Sequence, residues 1–367
     1  MRESEGRTGK FPPCGYGSMG LCCSSCLLGP CRISPFEGNS AKEPCGDNAD
    51  LMVAKNLLRL VGLEAVSGLK DLSETIRRLG SSASQQPAGK GSARGELKGI
   101  VEKYGLGVGV SPKRLSHYLV RESQRLLSPP SEVERPSSLL ASLYPERAFP
   151  HIHRMRLLPR FLTDTLFEAL SREQMESSSV EGILWQCLKI SMLKIISEEL
   201  RRDMSFLTNR GRPPEAEKEA LDGLGGLPPN PLPVIVIFSR DEDPQRELMN
   251  RTARELQQGL KGDVLYVPIT HIATLPEIGR RFFQKWSLSA AEGEVMFVAF
   301  SPSAASVLGA LVCGFTALSY PALPIYGSAA VEEFLGKGLK EKFGSVYVPP
   351  REGEIVPAIL GLLRERA

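Results

Sequence analysis

Six of the chain's eight cysteines fall at Cys14, Cys22, Cys23, Cys26, Cys31 and Cys45, while Cys187 and Cys313 stand alone far downstream. Cys23, Cys26, Cys31 and Cys45 follow a C-x2-C-x4-C-x13-C spacing. Three of them share one compact loop and the fourth arrives just before a helix. Four thiolates can thus converge from different directions, as a [4Fe–4S] cluster requires. Gly29-Pro30 and the surrounding glycines allow sharp bends and close backbone approach. A four-cysteine zinc site is the rival chemistry for the same ligands. The adjacent pair Cys22–Cys23 argues for two neighbouring sites, with Cys22 turned one way and Cys23 the other. Cys14 and Cys22, in a C-x7-C spacing, are then a surplus pair. A symmetric homodimer completes them, because two cysteines from each subunit facing across a two-fold axis make four ligands.

The elements that must position these thiols are legible in outline. Residues 1–46 are rich in Gly, Pro, Ser and Cys, and they read as an iron–sulfur-binding loop segment wrapped around something other than an apolar core. Asp47 or Asn48 can cap a helix in which Leu51, Ala54, Leu57, Leu58 and Val61 recur at helical spacing. A soft Gly/Ser stretch follows at 80–96, with further helices expected at 97–105, 112–126, 160–171 and 179–205. These make a helical domain over 47–210, and a Pro/Gly-rich linker spans 211–233. Beyond it, short Val- and Ile-rich runs at 234–238, 263–269, 294–300, 322–326 and 345–350 alternate with helical stretches. Such alternation predicts a Rossmann-like parallel α/β domain over 234–367, so the fold class is α+α/β. None of its strand–helix turns carries GxGxxG, which leaves no dinucleotide site indicated.

Bulk properties narrow the function classes. A hydrophobic content of 42%, a charged content of 24% and a net charge of +3 spread along the chain are those of a globular protein with no nucleic-acid surface. No apolar run reaches the length of a membrane span, and the first residues carry no secretory h-region, so a cytoplasmic location is expected. In that compartment clustered thiols signify metal or redox chemistry.

The segments GYGSMGLCCSSCLLGPCRI and PCGDNADLMVAKNLLRLV resemble the N-terminal region of nickel-dependent anaerobic carbon monoxide dehydrogenases. The resemblance matches all six cysteine positions in order and spacing. It implies that Cys14 and Cys22 hold a D-type cluster shared between two chains, [4Fe–4S] or [2Fe–2S]. It likewise implies that Cys23, Cys26, Cys31 and Cys45 hold one B-type [4Fe–4S] cluster per chain. Weaker resemblance continues in YPERAFPHIHRMRLLPR and in LVCGFTALSYPALPIYGSAAVEEFLGKGL.

The family's nickel-containing C cluster takes one His and several Cys from its Rossmann domains. Only Cys313 lies in that part here, with Cys187 in a preceding helix, and both sit in apolar contexts that predict core roles. The family's His-bearing turn after the first strand corresponds to Ser239-Arg240-Asp241-Glu242-Asp243-Pro244. Asp241, Glu242 and Asp243 there read as a solvated turn. The family's His ladder corresponds to residues 62–76, which hold no His. His117, His151, His153 and His271 are scattered without metal-ligand spacing. The chain also has room for one Rossmann domain where full-length members have two. The expectation is therefore a homodimeric electron-transfer subunit without nickel, serving a redox partner such as a ferredoxin or an oxidoreductase subunit. The alternatives are a reductase or carbon monoxide dehydrogenase-type oxidoreductase with an unrecognised active site, and a structural docking subunit.

Overall fold

The computed structural model describes residues 14–37, 41–82, 92–107, 109–128, 139–143, 149–159, 161–172, 179–208, 234–238, most of 251–258, 265–269, 298–319 apart from 302, 323–349 and 354–364. Three features named above lie outside these residues: the 211–233 linker, the 239–244 turn and His271. The side chain of His151 is likewise not described, whereas His117 and His153 are exposed.

The cysteine segment opens with a one-turn helix, α1 (Gly15–Ser18), and a small antiparallel ribbon of β1 (Cys22–Cys23) and β2 (Cys31–Arg32). It leads into α2 (Ala49–Ser82), 34 residues long. Asn48 caps this helix, its Oδ1 accepting from the Leu51 N–H at 2.9 Å. Asp47 is occupied instead by Lys55, whose Nζ donates to both carboxylate oxygens at 2.8 and 2.9 Å in a buried pair. Val53, Leu57, Val61, Leu72, Ile76 and Leu79 line the apolar face of α2.

That face packs mainly against α7 (Val180–Thr208). Helices α3 (Ser92–Lys103), α4 (Pro112–Leu127), α5 (Phe149–Arg154) and α6 (Leu162–Arg172) complete the helical part. Helix α7 is buried on nearly every side, as an apolar helix without a polar face must be. Some of its polar residues are satisfied within the helix. Lys194 pairs with Glu198 at 2.8 Å, and Ser191 and Ser197 each donate to the carbonyl four residues earlier at 2.7 Å.

Five parallel strands follow: β3 (Val234–Phe238), β4 (Leu265–Ile269), β5 (Val298–Ser301), β6 (Thr316–Ser319) and β7 (Tyr347–Val348). Their order across the sheet is β4-β3-β5-β6-β7, so the chain reverses direction of growth beside β3. One expected strand is corrected. Residues 323–328 are irregular, and the fourth strand is instead Thr316–Ser319. Pro324 can donate no ladder hydrogen bond, and the Ile325 N–H turns back to the Leu323 carbonyl at 2.8 Å.

Helix α8 (Ala304–Val312), fully buried, joins the sheet to the helical part. Gly309 makes the approach possible, since a Cβ there would lie 2.5 Å from Ile195 Cδ1 on α7. Glu64 on α2 reaches the start of α8, accepting from Ser303 Oγ at 2.6 Å and from the Ala304 and Ala305 N–H groups at 3.1 and 2.9 Å. These are otherwise orphan donors of a helix N-terminus, and a carboxylate also complements its dipole. The chain ends through α9 (Ala329–Glu333), a π turn (Phe334–Gly338), α10 (Leu339–Phe343) and α11 (Ile355–Arg364). The buried core runs unbroken from the ribbon through α2 and α7 into α8 and β6. Replacing Glu64 by Ala should cost about 1–3 kcal/mol of unfolding free energy, with Gln costing less because it still accepts hydrogen bonds. Urea titration of the three proteins measures this.

A buried ionic knot sits where α3 meets α7. Lys103 Nζ lies 2.5 Å from Glu199 and 2.8 Å from Asp203, which also accepts from Tyr104 Oη at 2.6 Å. Two carboxylates share one ammonium here. Burial pushes the Glu199 carboxyl up to about 7, against the pull of Lys103 and with the help of the Asp203 charge. Asp203 goes the other way: Lys103, Arg202 and the Tyr104 hydrogen bond outweigh burial and hold it below its ordinary value. A raised carboxyl contributes stability that is fully present below its unfolded value of 4.5 and is lost as pH rises through about 7. Unfolding free energy should fall by roughly 3 kcal/mol across that window on this account. Glu199→Gln should remove most of that slope in pH-resolved urea unfolding; an unchanged slope counts against the assignment.

Candidate metal centre

The ribbon sorts the thiols by face. Cys23 stands opposite Cys31 and Cys22 opposite Arg32. Residues directly opposite share a face and successive residues alternate, so Cys23 and Cys31 look one way and Cys22 and Arg32 the other. Cys23 and Cys31 are buried, while Cys22 is half-buried.

Cys45 joins the inner pair. Burial pushes the Cys31 thiol up to about 11, reinforced by a hydrogen bond and charge from Glu43 and by the nearby thiols of Cys45 and Cys23. A thiol so placed keeps its proton until a metal displaces it. Cys26 is exposed, at the start of a turn whose carbonyl accepts from the Gly29 N–H at 3.3 Å. The structure thus brings Cys23, Cys31 and Cys45 together and leaves Cys26 on the rim.

Cys14 belongs to the outer face. It is exposed at the N-terminal end of α1, where the Gly17 N–H, with lesser help from the Tyr16 N–H and the Arg32 charge, holds its thiol below the ordinary value against the opposing effect of burial. Arg32 therefore neighbours Cys14 in space and Cys22 in register.

Polar side chains from α2 hold this segment in place. Asn56 Nδ2 donates to the Gly20 carbonyl at 2.9 Å and the Cys22 carbonyl at 2.8 Å. Arg59 donates to Ser25 Oγ, which lies 3.1 Å from Cys23 Sγ. From the far side, the Gly327 N–H donates to the Met19 carbonyl at 2.9 Å. Gly20 has φ +78°, and a Cβ there would sit 2.2 Å from the Pro324 carbonyl oxygen, so only glycine fits. The residues around 324–327 that did not form a strand serve here as a wall for the cysteine loop. Glu43, Asn56, Arg59, Ser25 and Arg32 were not singled out from sequence. Asn56 and Arg59 carried one faint signal, polar residues three apart on a largely apolar helix.

Among the described residues no three His, Cys, Asp or Glu side chains form the cage of a single metal ion. The donor set is nonetheless all-thiol and gathered from the ribbon and the approach to α2. It fits a polynuclear cluster, whose thiolates bind different irons and stand further apart than the ligands of one zinc ion. Cys187 is fully buried on α7, and burial raises its thiol. Cys313 ends α8 half-buried, its thiol pushed up to about 12 by burial and by Glu199. Neither approaches the ribbon.

No family model matches the chain. It is 28% identical over 238 residues to carbon monoxide dehydrogenase 1 of Methanosarcina acetivorans, over 62% of this chain and 36% of that protein. It is 50% identical over 50 residues to the carbon monoxide dehydrogenase of Rhodospirillum rubrum, over 14% of this chain and 8% of that one. The chain spans about a third or less of the length of the curated relatives it matches, from 36% down to 8%. Among solved structures, carbon monoxide dehydrogenase IV from Carboxydothermus hydrogenoformans superposes with a TM-score of 0.66 at 12% identity, over 99% of this chain and 95% of that chain. An acetyl-CoA synthase/carbon monoxide dehydrogenase superposes with a TM-score of 0.65 at 12% identity, over 98% and 89%. These structures share with the chain a fold that combines a helical part with a parallel sheet. The chain is thus similar in sequence to carbon monoxide dehydrogenases over part of their length, and in fold to solved carbon monoxide dehydrogenase structures.

Replacing Asn56 by Ala leaves the Gly20 and Cys22 carbonyls without their donor. The cysteine segment should loosen by about 1–3 kcal/mol, seen as faster anaerobic alkylation of Cys22 and Cys23 at unchanged far-UV circular dichroism.

Proposed function

We propose that the chain is an iron–sulfur electron-transfer subunit of the carbon monoxide dehydrogenase type, acting as a homodimer and carrying no nickel centre. The observation that carries the reading is the ribbon register, which sets Cys23 and Cys31 on one face and Cys22 on the other. On this reading Cys23, Cys26, Cys31 and Cys45 hold a B-type [4Fe–4S] cluster within each chain. Cys14 and Cys22 supply half the ligands of a D-type cluster completed by a second copy. Iron–sulfur clusters accept and release single electrons. The chain's part is to hold the thiolates, exclude water from Cys23 and Cys31, and present Cys14 and Cys22 to the second copy.

The side chains of Leu27, Leu28 and Phe36 support that second copy. They are large, apolar and among the most exposed on the molecule, and all three lie in the cysteine segment. The reading without nickel rests on the ligand supply of this chain, since Cys187 is committed to the core and Cys313 to the junction of α8 with α7. The parallel sheet then serves as a Rossmann-like scaffold for docking a redox partner such as a ferredoxin or an oxidoreductase subunit. No helix among the described residues is long and apolar enough to cross a membrane.

Anaerobically purified protein should carry about twelve iron atoms per dimer with a four-iron shared cluster, or about ten with a two-iron one, and matching sulfide. Cys14→Ser with Cys22→Ser should remove the shared iron and weaken the dimer in sedimentation runs while the B-type signal persists. Stoichiometric zinc without iron would overturn the reading. A catalytic reading is favoured by the names of the relatives, and CO-dependent dye reduction in the presence of added nickel would establish it.

A further inference from the structure

We infer that Arg59, acting through Ser25, tunes the electron affinity of the centre that Cys23 ligates. The inference rests on the cluster assignment above and adds a role for two residues that are not ligands. Arg59 donates to Ser25 Oγ, and Ser25 Oγ lies 3.1 Å from Cys23 Sγ. Either Ser25 or Cys23 could be the donor in that second contact on distance alone. Ligation decides it. A sulfur bound to iron carries no proton, so on the cluster assignment it can only accept and the Ser25 hydroxyl donates, while Ser25 Oγ also accepts from Arg59, whose guanidinium has only N–H groups to give. The sulfur of Cys23 therefore receives a hydrogen bond polarised by a positive charge behind it.

Geometry makes the relay specific. Asn56 and Arg59 are three residues apart on α2, hence on one face of the helix. Asn56 fixes the backbone at Cys22 and Arg59 fixes the side chain two residues past Cys23. Arg59 is joined to Cys23 through Ser25. Arg32 is the cation on the opposite face, beside Cys14 and across from Cys22. Each face of the ribbon thus has its own arginine, and the two centres can be set to different potentials.

The chemistry has a definite sign. Reduction adds one electron, and so one negative charge, to the centre. A hydrogen bond to a ligating sulfur and a nearby cation both favour that more negative state, and both raise the midpoint potential. Removing either lowers it. Arg59 touches the ligand's partner and not the reacting atoms, so it is a positioning residue.

The test uses full-length protein purified without oxygen. Iron and sulfide are measured first; a wild-type protein without them ends the cluster assignment itself. With clusters present, redox titrations followed by electron paramagnetic resonance are run on wild type, Arg59→Met, Arg59→Lys, Ser25→Ala and Ser25→Thr. Arg59→Met and Ser25→Ala should lower the reduction equilibrium of one centre about tenfold, a shift of about 59 mV for one electron, and leave the other unmoved. Arg59→Lys keeps the charge and Ser25→Thr the hydroxyl, so both should recover most of the loss. Should Arg59→Met lose iron, Ser25→Ala decides the matter, because it removes only one exposed hydroxyl. Equal potentials in wild type and Ser25→Ala at equal iron content overturn the inference.

Discussion

The helix α2 carries the anchorage on which both ends of this molecule depend. Its first turns hold the cysteine segment through Lys55, Asn56 and Arg59, and its middle holds the α/β part through Glu64. A loop poor in apolar side chains cannot bury itself, so its backbone carbonyls need donors from elsewhere. Asn56 supplies two of them with one amide group. Asp50 near the helix start accepts from Ser328 Oγ at 2.6 Å, tying the same end of α2 to the segment that walls the cysteine loop. The ribbon is therefore clamped between the first helix and a late turn of the chain.

Polar groups in the interior follow a second pattern. The Asp47–Lys55 pair is one-to-one, and its partners bury each other. The knot around Lys103 is not, since Glu199 and Asp203 compete for a single ammonium. The first is the arrangement expected where a buried charge has only a structural duty. The second leaves a carboxyl near neutrality at the junction of α3 and α7, with Cys313 at the end of α8 close enough to feel its charge. The two parts of the protein therefore meet at a site whose charge depends on pH.

Much of the fold was open to reading from local pattern. The helices at 112–127 and 180–208 follow from period and capping, because a helix satisfies its own backbone, and the strand at 234–238 follows from a short run of Val and Ile. The segment 322–326 misled for a physical reason. Ala, Leu, Pro, Ile and Tyr have the composition of a strand, yet this stretch is required as a wall against Gly20, and TALS just before it takes the place in the sheet. Composition measures burial, which the two roles share.

The sequence by itself determined the chemistry available here: six thiols in one segment, their order and spacing, and a likeness to carbon monoxide dehydrogenases borne by those same residues. It also implied, from the adjacent pair, that Cys22 and Cys23 turn opposite ways, and the ribbon supplies the extended backbone on which neighbours do so. Only the tertiary structure decided which non-cysteine groups address each thiol. Glu43 sits beside Cys31, Arg32 beside Cys14, and Arg59 behind Ser25 at Cys23. Ligand spacing is a local property of the chain. The charges and hydrogen bonds around a ligand come from residues such as Asn56, 34 positions from Cys22, and folding alone brings those together.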